Sequence, residues 1–215
     1  MNYFAHGHQF VDNPYFLAGT AVPDWLRVVD RKARVRSRVA IHFVDDRDER
    51  LAALAAGVIQ HHRDDEWFHR TRAFAELSLE FTTAIREQLD RDAGFRPSVL
   101  AHILVEILLD NTLIRQDPWR LRSYYQAIDS LDVEFVAQSV SDLATREPAC
   151  LVGFIPLFSS ERFLYDYADD AKLLFRLNQI MRRVKLPTIP EDFLAFLPRA
   201  RERVAARAIE LLKSN

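Results

Sequence analysis

The sequence is poor in the residues that build turns, cross-links and one-signed charge fields. Its 215 residues include only 5 glycines and 9 prolines. Few positions are therefore suited to tight turns, which favours helices. The single cysteine, Cys150, excludes an internal disulfide and fits a reducing cytoplasm. It reads as a small buried hydrophobe. The formal net charge is −2. No global basic field exists to hold a phosphate backbone, so nucleic acid is not an expected partner. Long apolar runs are also missing. Stretches such as Ile103 to Leu109 contain Glu106 and are too short to span a bilayer, so no membrane span is expected. The opening MNYFAHGHQF has neither the basic start nor the apolar run of a signal peptide.

What is present favours a helical core. Hydrophobic residues make up 49% of the chain. From Asp48 to Arg91 apolar residues recur at three and four positions, predicting helix with a break near Gly57 or Ser78. Gly94 closes that region. Pro97 starts a second helix, which runs to about Gln116 and is stopped by Asp117-Pro118. Further helices are expected at about 118–129, 132–145, 160–184 and 190–213, with Ser159, Ser160 and Thr188 as candidate caps. Asn13-Pro14 and Pro23-Asp24 mark turns. The segment at about 26–48 is less regular, and its basic run Arg27 to Arg38 reads as a solvated face. Val39 to Val44 has strand-like composition but no partner strand. No repeat or linker interrupts the chain. The expectation is a single all-α domain over residues 1–215, built as a helical bundle.

Two ladders carry the chemistry. His61, Asp65 and His69 fall at i, i+4 and i+8 in one helical stretch, and His102, Glu106 and Asp110 do so in the next. That spacing returns each set to nearly one helix face. All six offer imidazole nitrogen or carboxylate oxygen to a metal. Glu106 and Asp110 lie in an apolar run, where a buried carboxylate needs a compensating charge. A salt bridge with Arg63 or Arg70 would serve, as would a metal. For His61 the polar surroundings also suit an exposed face. His6 beside Phe4 reads alone as a core histidine, Asp24 after Pro23 as a helix cap, and His62 as pointing about 100° off the ladder toward solvent.

Six segments in order sharpen this reading. They are Met1-Asn2-Tyr3-Phe4-Ala5-His6, Ala18 to Trp25 (AGTAVPDW), Gly57 to Asp65 (GVIQHHRDD), Ile103 to Asp110 (ILVEILLD), Ser160 to Tyr167 (SERFLYDY) and Glu191 to Arg199 (EDFLAFLPR). Their order and spacing resemble those of the acyl carrier protein phosphodiesterase family, a divergent branch of the helical HD-type metal phosphohydrolases. The resemblance covers most of the chain and is poorest at 26–56. It implies an HD-like all-α fold, a divalent metal and hydrolysis of a phosphodiester, with acyl carrier protein or another phosphodiester as partner. His6, Asp24, His61, Asp65 and Asp110 occupy the positions it expects, and Glu106 stands at an Asp position. His69 replaces an Asp, His102 a small residue, Thr20 an Asn and Asn111 a His.

The expected site is thus His6, Asp24, His61, Asp65, His69, His102, Glu106 and Asp110 around one or two ions. The added imidazoles suit Mn, Zn, Fe or Ni better than Mg. Asp24 and Asp65 are the candidate bases, and Arg63 and Arg70 the candidate phosphate holders. Two other classes remain open. One is an iron redox bundle, although those proteins usually show Glu-x-x-His, spaced three apart, and none is picked out here. The other is a non-catalytic helical protein that binds an acyl or pantetheine chain or a partner. For it, the aromatic C-terminal half (Phe154, Leu157, Phe158, Phe163, Phe175, Phe193, Phe196) would line a groove rather than fill a core.

Overall fold

The computed structural model describes residues 1–89 and 94–213. The helices are α1 (Tyr3–Gly7), α2 (Pro14–Val29), α3 (Ser37–Ala40), α4 (Glu49–Phe68), α5 (Arg72–Gln88), α6 (Pro97–Gln116), α7 (Pro118–Asp129), α8 (Val133–Leu143), α9 (Leu151–Glu161), α10 (Asp170–Arg183), α11 (Leu197–Ala206) and α12 (Ala208–Leu211). Among the described residues no strand forms; Val35 and Ala144 share one isolated bridge. The all-α class expected from composition is what the chain adopts.

Asn13, Asp117 and Asp132 each cap the helix that follows. The Phe16 amide donates to the Asn13 side chain at 3.2 Å, with Pro14 in the first turn of α2. Asp117 with Pro118, and Asp132, begin α7 and α8 in the same way, each side chain accepting from the amide three residues on. The expected caps Ser159, Ser160 and Thr188 start no helix. Asp169 caps α10 instead, accepting from the Lys172 amide. The helix expected over 160–184 is broken at Arg162, whose φ of 48° is left-handed, and by a 3-10 stretch over Phe163–Ala168. Conversely, α2 runs through Pro23, where a turn was expected. Val39 to Val44 forms α3 and a 3-10 turn rather than a strand.

Two compact units make up the chain, each built from two chain segments. Unit 1 is Met1–Glu66 with Asp117–Arg162, and unit 2 is Trp67–Gln116 with Phe163–Asn215. In unit 1 the nearly all-apolar α2 is central and touches α1, α7, α8 and α9. Its Leu17, Val22 and Trp25 are buried with Tyr124 and Tyr125 of α7. α2 also crosses α4 at Gly19 and Gly57. A Cβ on Gly57 would stand 2.1 Å from the Phe16 carbonyl oxygen, so only glycine permits the approach. The basic run is exposed at Arg27, Arg31, Lys32, Arg34, Arg36 and Arg38, while Ala33 and Val35 turn inward. Cys150, expected in the core, is exposed at the head of α9 with a left-handed φ of 61°.

In unit 2, α5 packs on α6, and α11 and α12 close against them. By length and composition α6 could cross a membrane, but 67% of its apolar window is buried inside the protein. Phe193 and Phe196 of the aromatic-rich C-terminal half are core residues, as is Phe158 in unit 1. Leu157 and Phe175 are more than half exposed.

Candidate metal centre

The eight proposed ligands do not gather in one group. Two groups of three form, one in each unit: His6, His61 and Asp65 in unit 1, and His69, His102 and Glu106 in unit 2. In each, the ligand-type atoms lie within 4.8 Å of one another. Asp24 and Asp110 fall in neither. Asp110 is fully buried in α6, and Asp24 pairs with Arg27 at 3.0 Å. Arg63 and Arg70 are both exposed.

The first group is built by α1 and α4. His6 and His61 are buried, and their rings stack with centroids 4.1 Å apart. Each ring is fixed through Nδ1. That of His61 lies 2.8 Å from the Thr20 carbonyl, and because a carbonyl only accepts, His61 Nδ1 carries the proton. That of His6 lies 3.1 Å from Asp64 Oδ2, and Gln60 donates to the other Asp64 oxygen at 2.7 Å. Both Nε2 atoms face Asp65, that of His6 at 3.3 Å from Oδ1 and that of His61 at 3.5 Å from Oδ2. Neither Nε2 makes a hydrogen bond, although both are buried. The Met1 amino group lies 2.7 Å from Asp65 Oδ1.

This environment pulls the two imidazoles apart. Burial lowers the basicity of His61, the charge of His6 lowers it further, and its pKa falls well below the ordinary 6.5. Burial works against His6 too, but the hydrogen bond to Asp64 and the nearby Asp65 carboxylate outweigh it and raise the value. Burial pushes the Asp65 carboxyl up; the nearby His6 ring and the Met1 amino group more than reverse that and hold it well below the carboxylate range. Asp24 is raised to about 6, chiefly by burial, with Arg27 and His6 opposing.

These residues fit a divalent ion. Ligand bonds of about 2.0–2.1 Å in a tetrahedral site put neighbouring donors about 3.3 Å apart, close to the spacings between Asp65 and the two imidazoles. Anchoring one ring nitrogen on a carbonyl or carboxylate while the other is left to the metal is the usual arrangement of ligating histidines.

In the second group His69 follows the end of α4, while His102 and Glu106 sit one turn apart on α6. His69 Nε2 is 3.0 Å and His102 Nε2 3.2 Å from the same Glu106 oxygen, Oε1. Burial pushes the Glu106 carboxyl up, yet it titrates below the usual range, hydrogen bonds from His102 and His69 being among the causes.

Several participants were not singled out from the sequence. Asp64 and Gln60 form a ladder beside His61 and Asp65, again at i, i+4, and that spacing was a readable signal. The Thr20 carbonyl left none, since a backbone acceptor has no residue signature. His62, expected in solvent, is half-buried with Nε2 3.0 Å from the Val35 carbonyl. One Glu-x-x-His does occur, Glu66-Trp67-Phe68-His69, but Glu66 is exposed and only His69 joins a group.

No protein-family model matches this chain, and neither curated proteins nor solved structures give a match.

Proposed function

We propose that this protein is a metal-dependent phosphodiester hydrolase whose centre is the unit 1 group, His6, His61 and Asp65. The carrying observation is the pair of buried, oriented Nε2 atoms that lack hydrogen-bond partners and face one carboxylate. Buried polar atoms without partners are costly, and an ion satisfies both at once. The phosphodiester part of the reading rests on the motifs that resemble the acyl carrier protein phosphodiesterases, and phosphopantetheinyl carrier protein is the first substrate to try. A cytoplasmic setting belongs to the same reading and is supported by the single cysteine.

A divalent ion held by His6, His61 and Asp65 would supply Lewis acidity for the hydrolysis of a phosphodiester. The protein's part is orientation. Thr20 holds His61 in the tautomer that presents an Nε2 lone pair. Asp64, itself held by Gln60, turns His6 toward Asp65. His6 must give up any Nε2 proton for the ion, so loading releases protons and weakens as pH falls. Asp24, with its affinity for protons raised to about 6, is suited to accept a proton near neutral pH.

The test uses the full chain, stripped with chelator and reloaded with Mn, Zn, Fe or Ni. We expect at least one ion per chain. We also expect hydrolysis of a phosphodiester, either bis(p-nitrophenyl) phosphate or phosphopantetheinyl carrier protein, that His61→Ala and Asp65→Asn abolish. Less than one ion per chain refutes the metal centre. A loaded protein inert toward both diesters refutes the activity.

A further inference from the structure

We infer that His69, His102 and Glu106 form a second transition-metal site, within unit 2, in addition to the first. The motif resemblance does not supply this site: its pattern has neither imidazole at these two positions.

The geometry is that of a preset chelate. Both Nε2 atoms converge on one oxygen, Oε1 of Glu106, at 3.0 and 3.2 Å. A tetrahedral ion bound at about 2.0–2.2 Å needs neighbouring donors roughly 3.3–3.5 Å apart, so a small relaxation admits one. The imidazole rings lie 4.9 Å apart and tilt by only 31°. Phe74 braces both, its ring edge-on to His69 at 4.9 Å and to His102 at 5.0 Å. His102 and Glu106 are fixed relative to each other by one turn of α6, and Thr71, capping α5, ends the short turn that carries His69. Little ordering therefore remains to be done when an ion arrives.

The donor set names the ion class. Two imidazoles and one carboxylate suit Zn or a neighbouring first-row ion and disfavour Mg and Ca, which take oxygen. Access names the kind of site. The side chains of His69 and His102 are 33% and 43% exposed, against none for His6 and His61. Three protein ligands at a solvent-accessible position leave room for water or another ligand, as in exchangeable and catalytic zinc sites rather than closed structural ones.

The test is metal stoichiometry and does not need activity. Chelator-stripped full-length protein is dialysed against Zn, and bound zinc is counted by elemental analysis; Co, with its visible absorption, serves as a second probe. The wild type should hold two ions per chain. His102→Ala and Glu106→Gln should each hold one, His61→Ala should hold one, and the His61→Ala/His102→Ala double variant none. Circular dichroism checks that each variant is folded, and the near-isosteric Glu106→Gln stands in if His102→Ala is not. The inference is overturned if folded His102→Ala and Glu106→Gln retain the wild-type zinc content. A wild type with one ion, lost in His61→Ala alone, also overturns it and leaves the first centre standing. One ion lost in His102→Ala alone does the reverse.

Discussion

The Gly19–Gly57 crossing couples helix packing to the first centre, and Gly57→Ala should disturb both. An added methyl would lie 2.1 Å from the Phe16 carbonyl oxygen and 2.9 Å from the Gly19 Cα. These are backbone atoms, so no side-chain rotation relieves the overlap and α2 must move off α4. Overpacking of this kind costs about 1–3 kcal/mol and here falls at the upper end. Against it stands a gain of about 1 kcal/mol for replacing glycine inside a helix. The net loss of about 1–2 kcal/mol lowers the midpoint of thermal unfolding by roughly 2–8 °C in a chain of this size. Gly153, in α9, is the control: a Cβ there meets nothing within 4 Å, so Gly153→Ala should stabilise by up to about 1 kcal/mol. The site should respond as well. Thr20 adjoins Gly19, and its carbonyl anchors His61 Nδ1, so moving α2 weakens a contact of the kind worth about 10–100-fold in metal affinity. Thermal melts and Zn or Mn titrations of the three proteins read both effects. Wild-type stability together with wild-type metal affinity in Gly57→Ala would refute the close crossing and its link to the centre.

The remaining predictions concern single side chains. In metal-free protein the Asp24 carboxyl titrates near 6 when folded against 3.8 in the unfolded chain, so the folded state holds the proton more tightly. The stability this group contributes is present in full below about pH 4 and lost as pH rises through 6, a difference on the order of 2–3 kcal/mol. Asp24→Asn should therefore flatten that decline and leave the metal-free protein at least as stable at pH 7; denaturant melts at pH 4 and 7 in chelator would contradict this if the variant were weaker at the higher pH. The exposed Cys150 should react with a thiol reagent in the native protein, one equivalent per chain, and a thiol that reacts only after unfolding would count against its position.

Local signals in the sequence suffice where the physics is local. Asn13-Pro14, Pro97 and Asp117-Pro118 each begin or separate helices as their dihedral limits require. Those signals mislead where tertiary packing decides. Gly57 looked like a helix break because glycine is a poor helix former; in the fold it is a contact point inside α4, and the break comes at His69 to Thr71. Pro23 looked like a turn, yet burial of the residues around it in the unit 1 core keeps α2 continuous. Cys150 looked apolar and buried, but it occupies a left-handed position at the exposed head of α9, which no composition rule reveals.

The same helix break decides how the candidate ligands divide. The i, i+4, i+8 ladder His61, Asp65, His69 shares one face only if the helix runs unbroken through residue 69. α4 ends at Phe68, and Thr71 caps the next helix by accepting from the Phe74 amide at 3.2 Å. His61 and Asp65 therefore stay on α4 with His6, while His69 leaves the helix and meets α6. The two imidazoles absent from the resembling motif pattern, His69 and His102, consequently fall together in one group, apart from His6, His61 and Asp65. Spacing, taken with the resemblance, suggested one enlarged centre of changed chemistry. The division instead leaves a buried group of His6, His61 and Asp65 and a more exposed group of His69, His102 and Glu106, with Asp24 and Asp110 in neither.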